Sequence, residues 1–259
     1  MPAADLEGPL TDFRGRTKQI REIISVVEAA SRSPDALKSH RTDVDLSQVN
    51  VSTGNTANSM ALIFLASGFE EFVREEAIQC ANYLMDKYLG MPDASRHAIR
   101  DTYWFVSREQ LKFMKSVLVK SAPDPTLIGR VRSALDALQG FVVNDDPTKL
   151  ASATFGYHAN NCRPDVVADI FKRLDIKKIR EQLGESTKLK SHFGVTKKED
   201  CASKLWAKWN EFYDRRNETV HSLGGSTGYA VEVVFGYIEL FELTADALKG
   251  VLTKALATW

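Results

Sequence analysis

The chain is poor in the residues that punctuate or cross-link a fold. Cysteine occurs three times in 259 residues, at Cys80, Cys162 and Cys201, with no CxxC pair. That excludes a disulfide framework and a thiolate zinc site, and points to a reducing compartment. Glycine (15) and proline (8) are sparse and clustered, so long uninterrupted segments are expected. The formal net charge is zero, from 34 basic and 34 acidic side chains, which excludes a polycation that binds nucleic acid by blanket phosphate neutralisation. No apolar run is long: Met60 to Phe69 is interrupted by Ser67 and Gly68 and falls short of the roughly 20 residues needed to span a bilayer. The opening MPAADLEGPLTDFRGR lacks the basic-then-apolar order of an export signal. Together these absences predict a soluble, cytoplasmic protein without a membrane partner.

What is present is enough apolar surface, 44% of residues with 9% aromatic, to build a core. Apolar residues recur at steps of three and four, and no alternating run is long enough to demand a sheet, so the fold class is all-α. A first helix capped by Thr11 or Asp12 carries Phe13, Ile20, Ile23, Ile24 and Val27 and stops before Pro34. A polar segment, 35–58, reads as a loop. The second and longest helix carries Leu62, Leu65, Phe69, Phe72, Val73, Tyr83 and Leu84 and ends near Gly90. A third runs from about Ser95 to Ser121 through Tyr103, Trp104 and Phe105, and a fourth from Pro125 to Val143. Residues 144–203 read as an irregular insert with one helix at Pro164 to Leu174. Two strong helices follow, from Ala202 to about Leu223 and from Thr227 to about Leu256, as a hairpin joined by Gly224, Gly225 and Ser226. The division expected is an N-terminal helix and loop, 1–58, and a helical domain, 59–259, interrupted by the insert.

Charge is uneven along this frame. Residues 1–162 hold 18 basic and 20 acidic side chains, 163–216 hold 14 and 9, and 217–259 hold 2 and 5. Lys172, Arg173, Lys177, Lys178, Arg180, Lys188, Lys190, Lys197 and Lys198 would form an anion-facing rim, but interleaved acidic residues make a solvated surface the preferred reading.

One segment carries chemistry. With about 100° per residue on the helix LWAKWNEFYDRRNETVHSL, Leu205, Trp206, Trp209, Phe212, Tyr213 and Val220 share a buried stripe. Arg216 falls in the middle of it, while Arg215 points to the far side as a surface residue. Asn210, Asp214, Asn217 and His221 line one flank. An arginine aimed at an apolar seam needs an anion: either an internal carboxylate such as Glu70 or Glu71, with His221 merely capping the helix end, or a phosphate shared with the imidazole. Arg216 and His221 lie about 140° apart around the helix, so convergence on one phosphate would be helped by a second copy of the helix across a two-fold axis.

The run Arg216-Asn217-Glu218-Thr219-Val220-His221 resembles the Arg-polar-x-x-x-His motif of the HEPN superfamily, the higher eukaryotes and prokaryotes nucleotide-binding fold. Its place near the end of a penultimate helix, before a glycine link and a terminal amphipathic helix, fits as well. Leu65 to Ile78 with its paired glutamates, and Asn160-Asn161-Cys162-Arg163-Pro164 leading into a helix, look similar to the RiboL-PSP-type branch. The resemblance implies a HEPN-like antiparallel helical bundle with an extra N-terminal helix and an inserted short-helix segment, forming a homodimer through the motif-bearing helix. It further implies a metal-independent endoribonuclease without cofactor. His221 would be the general acid or base, Arg216 the phosphoryl stabiliser and Asn217 the positioning residue. The RNA would supply its own 2′-hydroxyl and be left with a 2′,3′-cyclic phosphate. Catalytic branches of the superfamily concentrate among toxins and antiviral-defence effectors, which implies an antitoxin or regulatory protein as a further partner. A non-catalytic HEPN-like dimer serving as a nucleotide-binding or scaffolding module is the alternative.

Other motifs fail. HExxH, GxSxG and the Walker GxxxxGK[ST] are absent, and Gly224 to Gly228 follows a helix and reads as a helix cap and turn. His40, His97, His158 and His192 are scattered and read as surface or capping residues. His158 and Cys162 are close in sequence, but catalytic pairs are assembled by the fold, so they are not taken as one. Trp104, Trp206 and Trp209 read as core ahead of base-stacking platforms. A DNA-binding regulator would want a basic final helix, and Glu232, Glu239, Glu242 and Asp246 against Lys249 and Lys254 give the wrong sign.

Overall fold

The computed structural model describes residues 4–33, 43, 45–118, 125–158, 160–221 and 228–259. Among these there is no strand, and no helix is long and apolar enough to cross a membrane. The main helices are α1 (Glu7–Arg32), α2 (Val51–Lys87), α3 (Asp93–Leu118), α4 (Pro125–Ala137), α5 (Pro164–Lys172), α6 (Ile179–Gly184), α7 (Thr187–Phe193), α8 (Lys198–His221) and α9 (Val231–Leu256). The three short ones, α5 to α7, fall in the expected insert.

Three helix starts lie earlier than the sequence suggests, the simplest being α8, which begins at Lys198 instead of Ala202 with Glu199 and Asp200 in its first turn. Helix α1 begins at Glu7 instead of Thr11 or Asp12, because Asp5 Oδ1 accepts from the amides of Glu7 (3.2 Å) and Gly8 (2.9 Å). Pro9 sits in the first turn, where its missing N–H costs nothing. Helix α2 begins at Val51, so residues 51–58, expected as loop, are its first turns. Their Ser, Thr and Asn content reads as loop by composition, yet Asn50 Oδ1 caps the amides of Ser52 and Thr53, and the Asn50 amide donates to Thr53 Oγ1 at 3.4 Å. This reciprocal box supplies the local start signal. Helix α4 extends into a π-helical stretch, Leu138–Val143. The expected end of α3 near Ser121 and the Gly224-Gly225-Ser226 link lie outside the described residues.

The core is assembled around α2, which packs against α1, α8 and α9. Phe69 is its hub. Its ring lies 5.7 Å from Phe13 of α1, 5.2 Å from Trp209 of α8 and 4.7 Å from Phe241 of α9, mostly edge-to-face, the geometry aromatic quadrupoles favour. Ring contacts of Phe212 with Tyr237 and Phe241, and of Trp209 with Phe241, run in opposite sequence directions, so α8 and α9 are antiparallel. Gly228 enters α9 at φ +70°, and a Cβ there would sit 2.4 Å from that of Asn55. Only glycine lets the chain come that close to α2. Beside it, Asn58 Nδ2 donates to the Tyr229 carbonyl at 2.7 Å.

Several expected core residues face outward. Ile23 is 60% exposed because it lies at the edge of its apolar stripe, and Val220 37% because it sits in the last turn of α8, beyond the aromatic contacts that bury Trp209 and Phe212. Trp206 and Trp209 are buried, as read, but Trp104 is 45% exposed. At the far end, Asp145 adopts φ 55° and gathers three donors: Tyr88 Oη at 2.6 Å, Arg96 Nη1 at 3.3 Å and Arg100 Nη1 at 3.1 Å.

Glu76 is the anomaly of the core. It is fully buried on α2 and neither carboxyl oxygen has a hydrogen-bond partner. Burial, reinforced by Asp5 and Glu7 and opposed by Lys249, lifts its pKa from 4.5 to about 8. A carboxyl raised on folding binds its proton more tightly in the folded state, so its contribution to stability falls as pH rises from about 4.5 to about 8. Urea denaturation should show stability dropping by on the order of a few kcal/mol across that window, and Glu76→Gln should flatten the drop and stabilise the protein above neutrality.

Candidate functional site

Three of the four residues on the polar flank of α8, Asn210, Asp214 and Asn217, are bonded to another segment. The chain from 160 to 165 is laid along that flank and pinned residue by residue. Asn161 Nδ2 donates to Asn217 Oδ1 at 2.9 Å, and Trp209 Nε1 donates to the Cys162 carbonyl at 2.9 Å. Arg163 reaches Asn210 at 3.3 Å and Asp214 at 2.6 Å, and Trp206 Nε1 donates to Asp165 at 2.9 Å. From the opposite side Glu70 Oε1 of α2 accepts the Cys162 amide at 3.3 Å. The step-of-four-and-three flank predicted from sequence is therefore real, and for Asn210, Asp214 and Asn217 its partner is this strap.

Arg216 is half-buried next to it. Its Nη1 donates to Asn217 Oδ1 at 3.2 Å, and its Nε is buried without a hydrogen-bond partner. Among the described residues no carboxylate lies within ion-pair distance of it: Glu71 pairs with Arg74, and Glu70 is turned to the Cys162 amide. One turn back, the buried Tyr213 hydroxyl faces the carboxylate of Glu70. Burial first, then the charges of Cys162 and Glu70, push its ionisation well up, while Arg216 acts in the opposite direction. The Arg216 Nε–H is thus left buried without an acceptor among the described residues, an arrangement that favours an anion or an ordered water.

The motif residues are only partly brought together. Arg216 and Asn217 touch; His221, the last residue of α8, is exposed at its end. Helix geometry leaves it about 140° around and about 7.5 Å along from Arg216. Its expected relation to Gly224 lies outside the described residues. Arg215 is not the free surface residue expected. It is half-buried, donates to Glu211 through Nε (3.1 Å) and Nη2 (2.9 Å), and lies 5.3 Å from the Tyr229 ring, tying α8 to the start of α9.

Sequence reasoning named Asn161, Glu70 and Tyr213 but missed their places in the site: Asn161 on Asn217, Glu70 on the Cys162 amide, and the Tyr213 hydroxyl buried beside Glu70. The signal for Asn161 was the unpaired polar flank itself, which had to be satisfied by some other segment. Part of the basic rim is taken up by local partnerships: Lys177 with Asp175, Lys188 with Asp246, Lys198 with Glu185, and Arg180 over Trp206. His158 and Cys162 do meet, with Nε2 at 3.3 Å from Sγ. The thiol is fully buried and its pKa is pushed up by that burial and by Glu70, which is the opposite of an activated thiolate.

Asn161→Ala removes the donor that fixes Asn217, leaving Arg216 as the partner of its oxygen. The variant should fold with a loss of about 1 kcal/mol in urea denaturation, the net worth of one side-chain hydrogen bond. Compared with family models, with curated proteins and with solved structures, the chain matches none.

Proposed function

We propose that the protein is a HEPN-type endoribonuclease that cuts RNA through its own 2′-hydroxyl. The observation that carries this reading is the state of Arg216: a half-buried guanidinium with no carboxylate in ion-pair reach among the described residues and an orphaned Nε, on the turn before an exposed histidine. A structural arginine in that position would be expected to hold an internal carboxylate, because an unpaired buried charge is costly. A phosphate would satisfy it through the planar fork. Asn217, itself held by Asn161, keeps the guanidinium in register.

In this reading the ribose 2′-oxygen attacks the adjacent phosphorus, the 5′-oxygen leaves, and the products are a 2′,3′-cyclic phosphate and a 5′-hydroxyl. His221 takes the proton from the nucleophile or returns one to the leaving oxygen, and Arg216 neutralises the charge that builds on the phosphoryl oxygens. The nucleophile belongs to the substrate, so the route requires no metal. Because Arg216 and His221 diverge around one helix, a two-fold partner helix would present the histidine of one protomer to the arginine of the other. Val220, exposed beside His221, gives that contact an apolar element. A toxin-like or defence role, restrained by an antitoxin or regulatory protein, follows the resemblance and forms part of the proposal.

Purified protein incubated with mixed RNA in EDTA should generate fragments ending in cyclic phosphate. His221→Ala should lower the rate about 10²- to 10⁴-fold with an unchanged urea midpoint, and Arg216→Lys should also lose activity, since a point charge does not replace the fork. Undiminished cleavage in both variants overturns the assignment. A stable dimer that binds nucleotides and cuts nothing would instead establish the scaffolding alternative.

A further inference from the structure

The strap that holds Asn217 continues backward into a feature the proposed chemistry leaves unused. Residues 157, 158 and 160, together with α3 and α5, line a cavity of about 350 Å³, at the small end of the roughly 300–1,000 Å³ typical of ligand pockets. Its walls combine three aromatic rings, Phe105, Tyr157 and His158, with three charged side chains: Glu109, which is paired with Arg108 and Lys112, and the opposite charges of Asp169 and Arg173. Phe105 is 54% exposed, and the Arg108 guanidinium lies 5.4 Å from its centroid. A large ring left at the surface beside a cation is a stacking platform for a flat, electron-rich ligand.

The remaining groups are arranged to read an edge. His158 Nδ1 lies against the Asn160 carbonyl, which only accepts, so that nitrogen carries the proton and Nε2 faces the Cys162 thiol. With both nitrogens engaged, His158 offers the cavity a fixed flat ring. Arg173 Nη1 donates to the carbonyls of Phe155 (3.1 Å) and Tyr157, which locks the guanidinium, while its Nη2 and Nε have no protein partner among the described residues. Asp169, one turn earlier, is close enough to favour the charged guanidinium, yet the two are not within ion-pair distance. An acceptor-only carboxylate and a donor-only fork therefore stand side by side, each free to bond a ligand.

We propose that this cavity takes a guanine base of the RNA strand. Guanine presents two parallel donors, N1–H and N2–H, for Asp169, and its O6 accepts from Arg173, while the ring stacks on Phe105 and His158. The proposal rests on the ribonuclease reading for its role, as the pocket that selects where the strand is cut. The physical link is short. His158 touches Cys162, whose neighbour Asn161 bonds Asn217 beside Arg216.

Calorimetric titration of the full chain with GMP, AMP, CMP and UMP tests it. GMP should bind at least about tenfold tighter than the others, and Asp169→Asn and Phe105→Ala should each weaken GMP about tenfold. Equal affinities for the four nucleotides in the wild-type chain, which need no variant, overturn the proposal, as does GMP affinity unmoved by either substitution in folded protein. Mapping cut sites on mixed RNA separates the two claims. Cuts beside guanine that lose this preference in Asp169→Asn support both. Selective GMP binding with no RNA cleavage keeps the pocket and ends the nuclease reading. Cleavage indifferent to base, with the four nucleotides bound alike, keeps the nuclease and ends the pocket.

Discussion

Helix α8 has to satisfy two unlike faces at once, and the fold is largely the solution to that constraint. One face is aromatic and is absorbed by Phe69 and Phe241. The neighbouring flank is amide and carboxylate, and burying it bare would cost more than the apolar face gains. The strap at 160–165 resolves the conflict by meeting the flank side chain for side chain, and even the two buried indoles find acceptors on it. This explains why an irregular stretch without periodicity sits against the most regular part of the molecule. It also explains how Arg216 is held partly inside without an ion pair: the amide oxygen of Asn217 is a neutral acceptor, and the strap has already fixed its direction.

The same economy of partners separates structural from functional polarity. Most charged groups on the surface find nearby opposites and need no external explanation, as the insert shows, where some of the lysines that look like a rim in sequence fall to individual acidic neighbours. Against that background the unsatisfied groups stand out. Glu76 answers its isolation by holding its proton, a route closed to Arg216, whose guanidinium stays charged. A buried carboxyl without a partner and a half-buried guanidinium with an orphaned Nε therefore have opposite readings, the first neutralised by its own proton and the second open to an anion.

The helical class and the order of the elements were legible because apolar periodicity is a local property. The long α2 stripe and the α8 wheel depend only on spacing, and Phe69, Trp209 and Phe212 fall where that spacing puts them. The flank Asn210, Asp214 and Asn217 was also visible, but not what covers it, because a contact between residues 161 and 217 spans 56 positions and leaves no mark on either segment. Helix starts were misjudged where the cap lay outside the periodic region, at Asp5 and Asn50. Val220 and Arg215 show the limit of a wheel. It gives angle but not where along the helix the neighbours stop, and near the end of α8 an angle that is interior at Trp209 is already at the surface. The order of Arg216, Asn217 and His221 was legible, whereas the separation of His221 from Arg216 was a matter of geometry that six letters do not carry.

Asp145 draws the end of α2, the first turns of α3 and the exit from the π-helical stretch to a single carboxylate held in a left-handed backbone. Three elements that meet at one oxygen pair cannot shift independently. The arm made of α3 and α4 is thereby fastened at its root like a bracket on one bolt, and a sideways push on it would be delivered to the last turn of α2, the same helix whose middle carries Phe69 and Glu70.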